Sequence, residues 1–74
     1  MKDVRDIGTV KSWRPLQGYG FIRPDGNGDD VFVHIKGTRD HKELSVGDRV
    51  SYFIAPDPKN ASKVLATDVV VMRQ

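Results

Sequence analysis

Aromatic and imidazole side chains recur at every second position in two short runs of this sequence. Tyr19 and Phe21 alternate with glycines in GYGFI, and Phe32 and His34 alternate with valines in DVFVHI. Side chains two positions apart on a β-strand point to the same face. A row of exposed rings offers flat π surfaces, on which unpaired nucleic-acid bases stack with about 1–3 kcal/mol each.

Two strands of a hairpin must position these rings. Strands over 18–23 and 30–36 are joined by PDGNGDD (24–30), a short loop rich in turn residues. Strands connected in this way pair antiparallel, so their outward rings lie side by side. The residues that alternate with the rings are then predicted to face the core: Gly18, Gly20, Ile22, Val31, Val33 and Ile35.

Three further runs rich in β-branched and aromatic residues are typical of strands. The polar segment 37–48 predicts an irregular connection with one short helical turn, and 56–62 predicts a loop. In the fourth strand we expect Val50, Tyr52 and Ile54 to face the core. The predicted strands are residues 7–13, 18–23, 30–36, 49–55 and 63–72.

Five short strands in 74 residues predict an all-β fold, a small five-stranded antiparallel barrel whose closure removes exposed strand edges. We expect one domain, residues 1–74, with a core over about 7–72. The chain has no cysteine, which excludes disulfides and Cys-based zinc sites. The first ten residues lack the apolar run of a secretory signal, so we expect a cytoplasmic monomer without a membrane anchor.

The net charge of +2 is mild, so affinity for a polyanion must come from the placement of the charges. Asp29 and Asp30 oppose phosphate binding locally. Asp30 has two open roles: it accepts a hydrogen bond from a base edge, or it stabilises the turn. Basic residues on or beside the ring-bearing strands nevertheless predict a cationic rim: Lys11, Arg14, Arg23, Lys36 and Arg39.

The histidines do not form a catalytic or metal-binding pattern. His34 and His41 are seven residues apart with no carboxylates at ligand spacing, which predicts no metal site and no cofactor. The chain lacks a nucleophile elbow, and we expect no enzymatic activity. A partly exposed His34 is instead expected to stack on a base or to donate a hydrogen bond to a base or phosphate.

The two ring-bearing runs and their flanks resemble the cold-shock domain family over about residues 7–72. GTVKSWRPLQGYGFI resembles the family's G-x-V-K-W-F-N-x-x-K-G-F-G-F-I, and DDVFVHI resembles its D-V-F-V-H-[FI]. LSVGDRVSY resembles its L-x-x-G-x-x-V-x-F, and the tail from Tyr52 is similar to the calcium-regulated heat-stable subgroup. The resemblance implies an OB-fold barrel that binds single-stranded RNA or DNA as an RNA chaperone or regulator.

The motif positions imply a basic role for Lys11 and stacking roles for Trp13, Tyr19, Phe21, Phe32 and His34. Ser12 departs from the pattern because it stands where the family has an exposed Trp. Either Trp13 takes over stacking or one platform is lost. His41 falls near the family's loop aromatic. We predict weaker binding than in a fully aromatic member, with roughly micromolar to high-nanomolar affinity at low salt.

Two other functions fit the same barrel. Ser12 and Gln17, which replace a Trp and a Lys of the family pattern, favour a protein-docking surface. An initiation-factor-like module that acts on the ribosome would share the fold. The sequence also leaves RNA and single-stranded DNA as equal targets, because no residue is an evident reader of the 2′-hydroxyl.

Overall fold

The computed structural model describes residues 5–26 and 28–72, which form a closed barrel of five strands. A 3-10 turn, Ile35–Gly37, follows the third strand. The barrel order β1-β2-β3-β5-β4 confirms the predicted all-β, five-stranded OB-type architecture. The strands are β1 Asp6–Arg14, β2 Tyr19–Pro24, β3 Val31–His34, β4 Arg49–Asp57 and β5 Asn60–Val71.

The barrel is mostly antiparallel, as predicted, and one seam is parallel. β3 and β5 run parallel and meet where Phe32 pairs with Leu65, whereas the other neighbouring strands are antiparallel. The reason is parity. A closed ring of five strands cannot alternate in direction throughout, so one neighbouring pair must be parallel.

The core follows the predicted alternation in the ring-bearing hairpin. Ile22, Val31 and Val33 are buried, as are Gly18 and Gly20. Tyr52 is fully buried, but the prediction for Ile54 is wrong because it is 46% exposed. Ile54 lies on the same side of β4 as Tyr52, but there β4 has run past the residues that cover the core. The buried apolar residues are Val10, Ile22, Val31, Val33, Leu44, Val50, Tyr52, Ala66 and Val69.

Two predicted boundaries also need correction. The third strand ends at His34, and the helical turn expected within 37–48 lies at Ile35–Gly37, so Ile35 is only partly buried. The Thr38 hydroxyl closes this turn by donating to the Ile35 carbonyl over 2.8 Å. The loop expected over 56–62 is mostly strand, because β4 and β5 continue as a hairpin with a two-residue turn at 58–59.

Candidate nucleic-acid interface

The register of β2 and β3 brings four predicted site residues together. Tyr19 pairs with His34, and Phe21 pairs with Phe32, so the four side chains share one side of the hairpin. The Tyr19 and Phe32 ring centroids are 5.5 Å apart, and those of Phe21 and Phe32 are 5.8 Å apart in an edge-to-face arrangement. Tyr19, Phe32 and His34 are half-buried, and Phe21 is 37% exposed. We call Tyr19, Phe21, Phe32 and His34 the ring face.

A close approach of β1 lies beneath the ring face. A Cβ at Gly20 would clash with the Ser12 carbonyl and would lie 2.8 Å from Cε3 of Trp13. Only glycine leaves room for this approach. Gly20 therefore lets β1 pack tightly against β2 while the rings of Tyr19 and Phe21 point away from the core.

His34 is held in a defined orientation by the turn that follows it. Its Nδ1 accepts a hydrogen bond of 3.1 Å from the backbone N–H of Lys36. In the neutral imidazole the proton then resides on Nε2, because the other nitrogen is the acceptor. His34 thus presents an N–H donor at the partly exposed end of the ring face, where it can meet a base edge or a phosphate oxygen.

A bulge in β1 decides which side chains extend the ring face. The register shifts between Val10 and Ser12, which makes Lys11 the extra residue of the bulge. Ser12 then pairs with Phe21 and falls in the row of rings, whereas Trp13 pairs with Gly20 and falls in the core row. Trp13 is partly buried against the core, and its indole Nε1 is buried without a hydrogen-bond partner. The geometry favours the alternative in which one stacking platform is lost at Ser12.

The predicted cationic rim divides into engaged and available charges. Lys11 forms an ion pair of 2.8 Å with Asp30, which occupies both predicted site residues with each other. Such an exposed pair contributes little to stability and can open to a competing phosphate. Arg14 pairs with Tyr19 across the strands and is exposed, as is Lys36. Within the described residues, no hydrogen bond or ion pair engages the side chains of Arg14, Lys36 or Arg23.

His41 lies apart from this arrangement in the exposed loop that follows the 3-10 turn. Its backbone adopts a left-handed conformation (φ 54°), and its N–H donates to the Thr38 carbonyl over 3.3 Å. No side-chain hydrogen bond of His41 occurs in the part of the chain that the structure describes. Its predicted role near the bases stays a prediction.

A groove of about 560 Å³ continues the ring face towards the β4–β5 hairpin. Phe21 and Phe32 form one wall, and Lys63 and Val64 of β5 also line it. Lys63 and Val64 are not among the binding residues predicted from the sequence. The run KVLATDVVVM indicated a strand there, but only the parallel seam shows that its start lies beside the rings. The remaining lining residues are Asp29, Asp30, Asp57 and Ser62.

A second cluster of arginine and aromatic side chains forms where β1, β4 and β5 meet. The Arg5 guanidinium lies 4.6 Å from the Phe53 ring centroid, and its Nε donates to the Ser51 hydroxyl over 3.0 Å. Arg39 donates to both carboxylate oxygens of Asp68 at 2.9 Å, and Arg5 donates to one of them at 2.9 Å. These bonds, from Arg39 first and then Arg5, hold the pKa of Asp68 well below its usual value. We call these five residues the Asp68 cluster.

Other kinds of site find little support in the geometry. Across residues 5–26 and 28–72, no group of three or more metal-ligating side chains could hold an ion. The same ranges contain no helix long and apolar enough to cross a membrane.

Residues 6–72 match the model of the "Cold-shock" DNA-binding domain. The chain therefore belongs to the cold-shock domain family, a nucleic-acid-binding family that is generally not enzymatic. It is 36% identical over 64 residues to cold shock domain-containing protein C2 of Mus musculus, a match that covers 86% of this chain and 42% of that protein. It is 44% identical over 55 residues to the major cold shock protein of Micrococcus luteus, covering 72% and 82%.

The fold is also similar to that of a solved structure, Drosophila Unr CSD456. The TM-score is 0.77 at 21% sequence identity, and the match covers 96% of this chain and 28% of that chain. At this identity the likeness concerns the fold alone. The chain spans less than half of the mouse relative and of the Unr structure but most of the bacterial protein.

Proposed function

We propose that this protein binds single-stranded RNA or DNA by stacking unpaired bases on the ring face. The observation that carries the proposal is the contiguous set of rings formed by Tyr19, Phe21 and Phe32 on an uncovered side of the barrel. His34 adds an N–H donor at one end, and Arg14 and Lys36 supply exposed charge for the phosphates.

The mechanism exchanges base–base stacking for base–ring stacking. A duplex hides its base faces, so the protein binds and holds strands that are already open. It melts weak hairpins without ATP, which is the behaviour of an RNA chaperone or of a transcription or translation regulator with low sequence specificity. Ser12 supplies no ring in its row, so the platform is short and the affinity is moderate.

An oligonucleotide titration tests this proposal. Fluorescence anisotropy of labelled heptathymidine and of a random heptamer RNA should show saturable binding at low salt, with weaker binding of a matched duplex. Phe21→Ala should weaken binding about 5- to 150-fold, because one stacked base is worth about 1–3 kcal/mol. Val46→Ala removes an exposed aliphatic side chain outside the ring face and should leave binding unchanged. No binding at tens of micromolar protein would contradict the proposal.

One observation favours a protein-docking role for the same face, namely the missing ring at Ser12. The absorbance ratio at 260 and 280 nm after purification separates the two functions, because co-purified nucleic acid raises it. A partner protein that the unchanged domain retains and Phe21→Ala loses, together with an absence of bound nucleic acid, would favour docking on this face. Co-sedimentation with the small ribosomal subunit tests the initiation-factor-like variant.

A further inference from the structure

A second groove, of about 650 Å³, receives residues from all five strands. Its apolar surface comes from Ile7 of β1, Ile54 of β4 and Val64 of β5, which are 37%, 46% and 46% exposed. Three aliphatic side chains from three strands thus share one depression. We call it the Ile54 groove. It shares Asp29, Asp30 and Val64 with the groove beside the rings but contains none of the ring-face residues.

Tyr52 adds an unpaired polar group to the lining of the Ile54 groove. The side chain is fully buried, and its hydroxyl has no hydrogen-bond partner. Burial, and then the charges of Asp6 and Asp25, raise the pKa of the phenol, so it stays a protonated donor. Because the hydroxyl has almost no accessible surface, Tyr52 forms part of the floor beneath the groove and is not a contact for its occupant.

The rim of the groove is acidic. Arg5 also lines it, but its guanidinium is bonded to Asp68. Arg49 pairs with Asp25 and Lys11 with Asp30, whereas no ion pair within the described residues engages Asp6 or Asp29. The carboxylates that line the groove are Asp6, Asp25, Asp29 and Asp30.

This charge pattern selects the occupant. Nucleic-acid phosphates are repelled by the carboxylates. A second copy of the chain is disfavoured as well, because a two-fold axis places the same acidic rim opposite itself. The complement of an aliphatic floor with an acidic rim is a segment with alternating cationic and aliphatic side chains.

We propose that the Ile54 groove binds a short cationic segment of a partner protein. An aliphatic side chain of the segment packs among Ile7, Ile54 and Val64, and its lysines or arginines face Asp6 and Asp29. This interaction surface goes beyond nucleic-acid binding and gives the domain a way to engage a protein next to the bound strand.

A methyl and amide chemical-shift titration of the labelled protein tests the proposal with the peptide acetyl-KLRLK-amide. Saturable shifts are expected at Ile7, Ile54 and Val64, and the acidic counterpart acetyl-ELELE-amide should produce none. Ile54→Lys should weaken peptide binding at least tenfold through repulsion. Val46→Lys makes the same charge change at an exposed aliphatic position that does not line the groove, and should bind as the unchanged protein does.

The test stands apart from the nucleic-acid proposal. Phe21→Ala should keep peptide binding while it loses affinity for the oligonucleotide. Amide spectra confirm that each variant is folded before its affinity is compared. Shifts confined to the ring face, an absence of saturation at millimolar peptide, or an unchanged affinity in Ile54→Lys would overturn the proposal.

Discussion

The ring face and the Asp68 cluster both bring aromatic rings close to arginine side chains, but with different consequences. In the Asp68 cluster, Arg5 covers the Phe53 ring and shares the Asp68 carboxylate with Arg39. On the ring face the aromatic rings pair with one another, and the neighbouring Arg14 is not engaged by any ion pair within the described residues. Rings and cations that satisfy each other stabilise the fold, whereas those left unsatisfied are available to a ligand.

The largest effect on the ring face is expected from Gly20→Ala. Its Cβ would clash with the backbone of β1 and with the Trp13 ring, so β1 and β2 must separate and the ring face loses its support. We expect a loss of about 3 kcal/mol in the free energy of unfolding, measured by urea denaturation. Gly26→Ala is the matched control, because nothing lies within 4 Å of a Cβ at that position. Equal stability of the two variants would contradict the close-approach argument.

Removing one phenylalanine from each region separates binding from stability. Phe32→Ala should weaken oligonucleotide binding about 5- to 150-fold, because Phe32 contacts both other rings. Phe53→Ala should lower the melting temperature while binding stays unchanged, because it removes the surface on which Arg5 lies. Anisotropy and thermal denaturation of both variants provide the measurements. A similar affinity loss in the two variants would show that the regions are not distinct.

Ser12→Trp should lengthen the ring face. Ser12 pairs with Phe21, so an indole at this position would join the row that Phe21 and Phe32 form. One added stack should tighten oligonucleotide binding about tenfold, as measured by anisotropy. Thr9→Trp is an unsuitable control because it crowds Arg49, which donates to the Thr9 hydroxyl. Val46→Trp, at an exposed position away from the rings, should give no gain.

Asp68→Asn tests whether the ion pairs of Asp68 with Arg5 and Arg39 stabilise the fold. Asn tolerates the left-handed backbone at this position (φ 51°), so the variant removes charge without adding backbone strain. The folded-state pKa of Asp68 lies below the ordinary 3.8, so the unfolded chain binds the proton first as the pH falls. The stabilisation that the ionised Asp68 gives to the fold is therefore complete above about pH 5. It is lost as the pH falls through 3.8 towards the lower folded-state pKa.

We accordingly expect Asp68→Asn to lower the melting temperature most near pH 7, with a difference that narrows in acid. Glu43→Gln makes the same charge change in an exposed loop and should shift the melting temperature little at any pH. A difference for Asp68→Asn that grows as the pH falls would refute the assigned sign.

The smallest effect concerns the salt dependence of binding. Arg14→Gln should reduce the slope of log K against log salt by about 0.7, the value for one phosphate contact on a single strand. Arg39→Gln should change the slope less, because Asp68 already compensates its charge. Titrations at several salt concentrations compare the two variants directly. A larger change for Arg39→Gln would place the nucleic acid at the Asp68 cluster.

The local features of the ring face were predictable because alternation is a property of neighbouring residues. The positions of Tyr19 and Phe21 relative to Gly18 and Gly20 follow from a period of two, and the short loop dictates antiparallel pairing. The burial of Val31 and Val33 follows in the same way.

Features that join distant segments could not be predicted in this way. The side on which Trp13 lies depends on a one-residue bulge at Lys11, which reverses every later side chain of β1 relative to simple alternation. The pairing of Arg39 with Asp68 links residues 29 positions apart and was invisible in a local pattern. The exposure of Ile54 depends on where the barrel ends, which alternation within β4 does not specify.

Phe32 has two roles in the barrel. It is the central ring of the ring face, and it pairs with Leu65 where β3 meets β5. A ligand that stacks on Phe32 only while the barrel is closed raises the free energy of opening by RT ln(1 + [L]/Kd). Occupancy should therefore slow the hydrogen exchange of β3 amides that open with the seam. If the protein binds single strands as proposed, a bound strand holds the barrel closed, and the protection of these amides from exchange reports how much nucleic acid is bound.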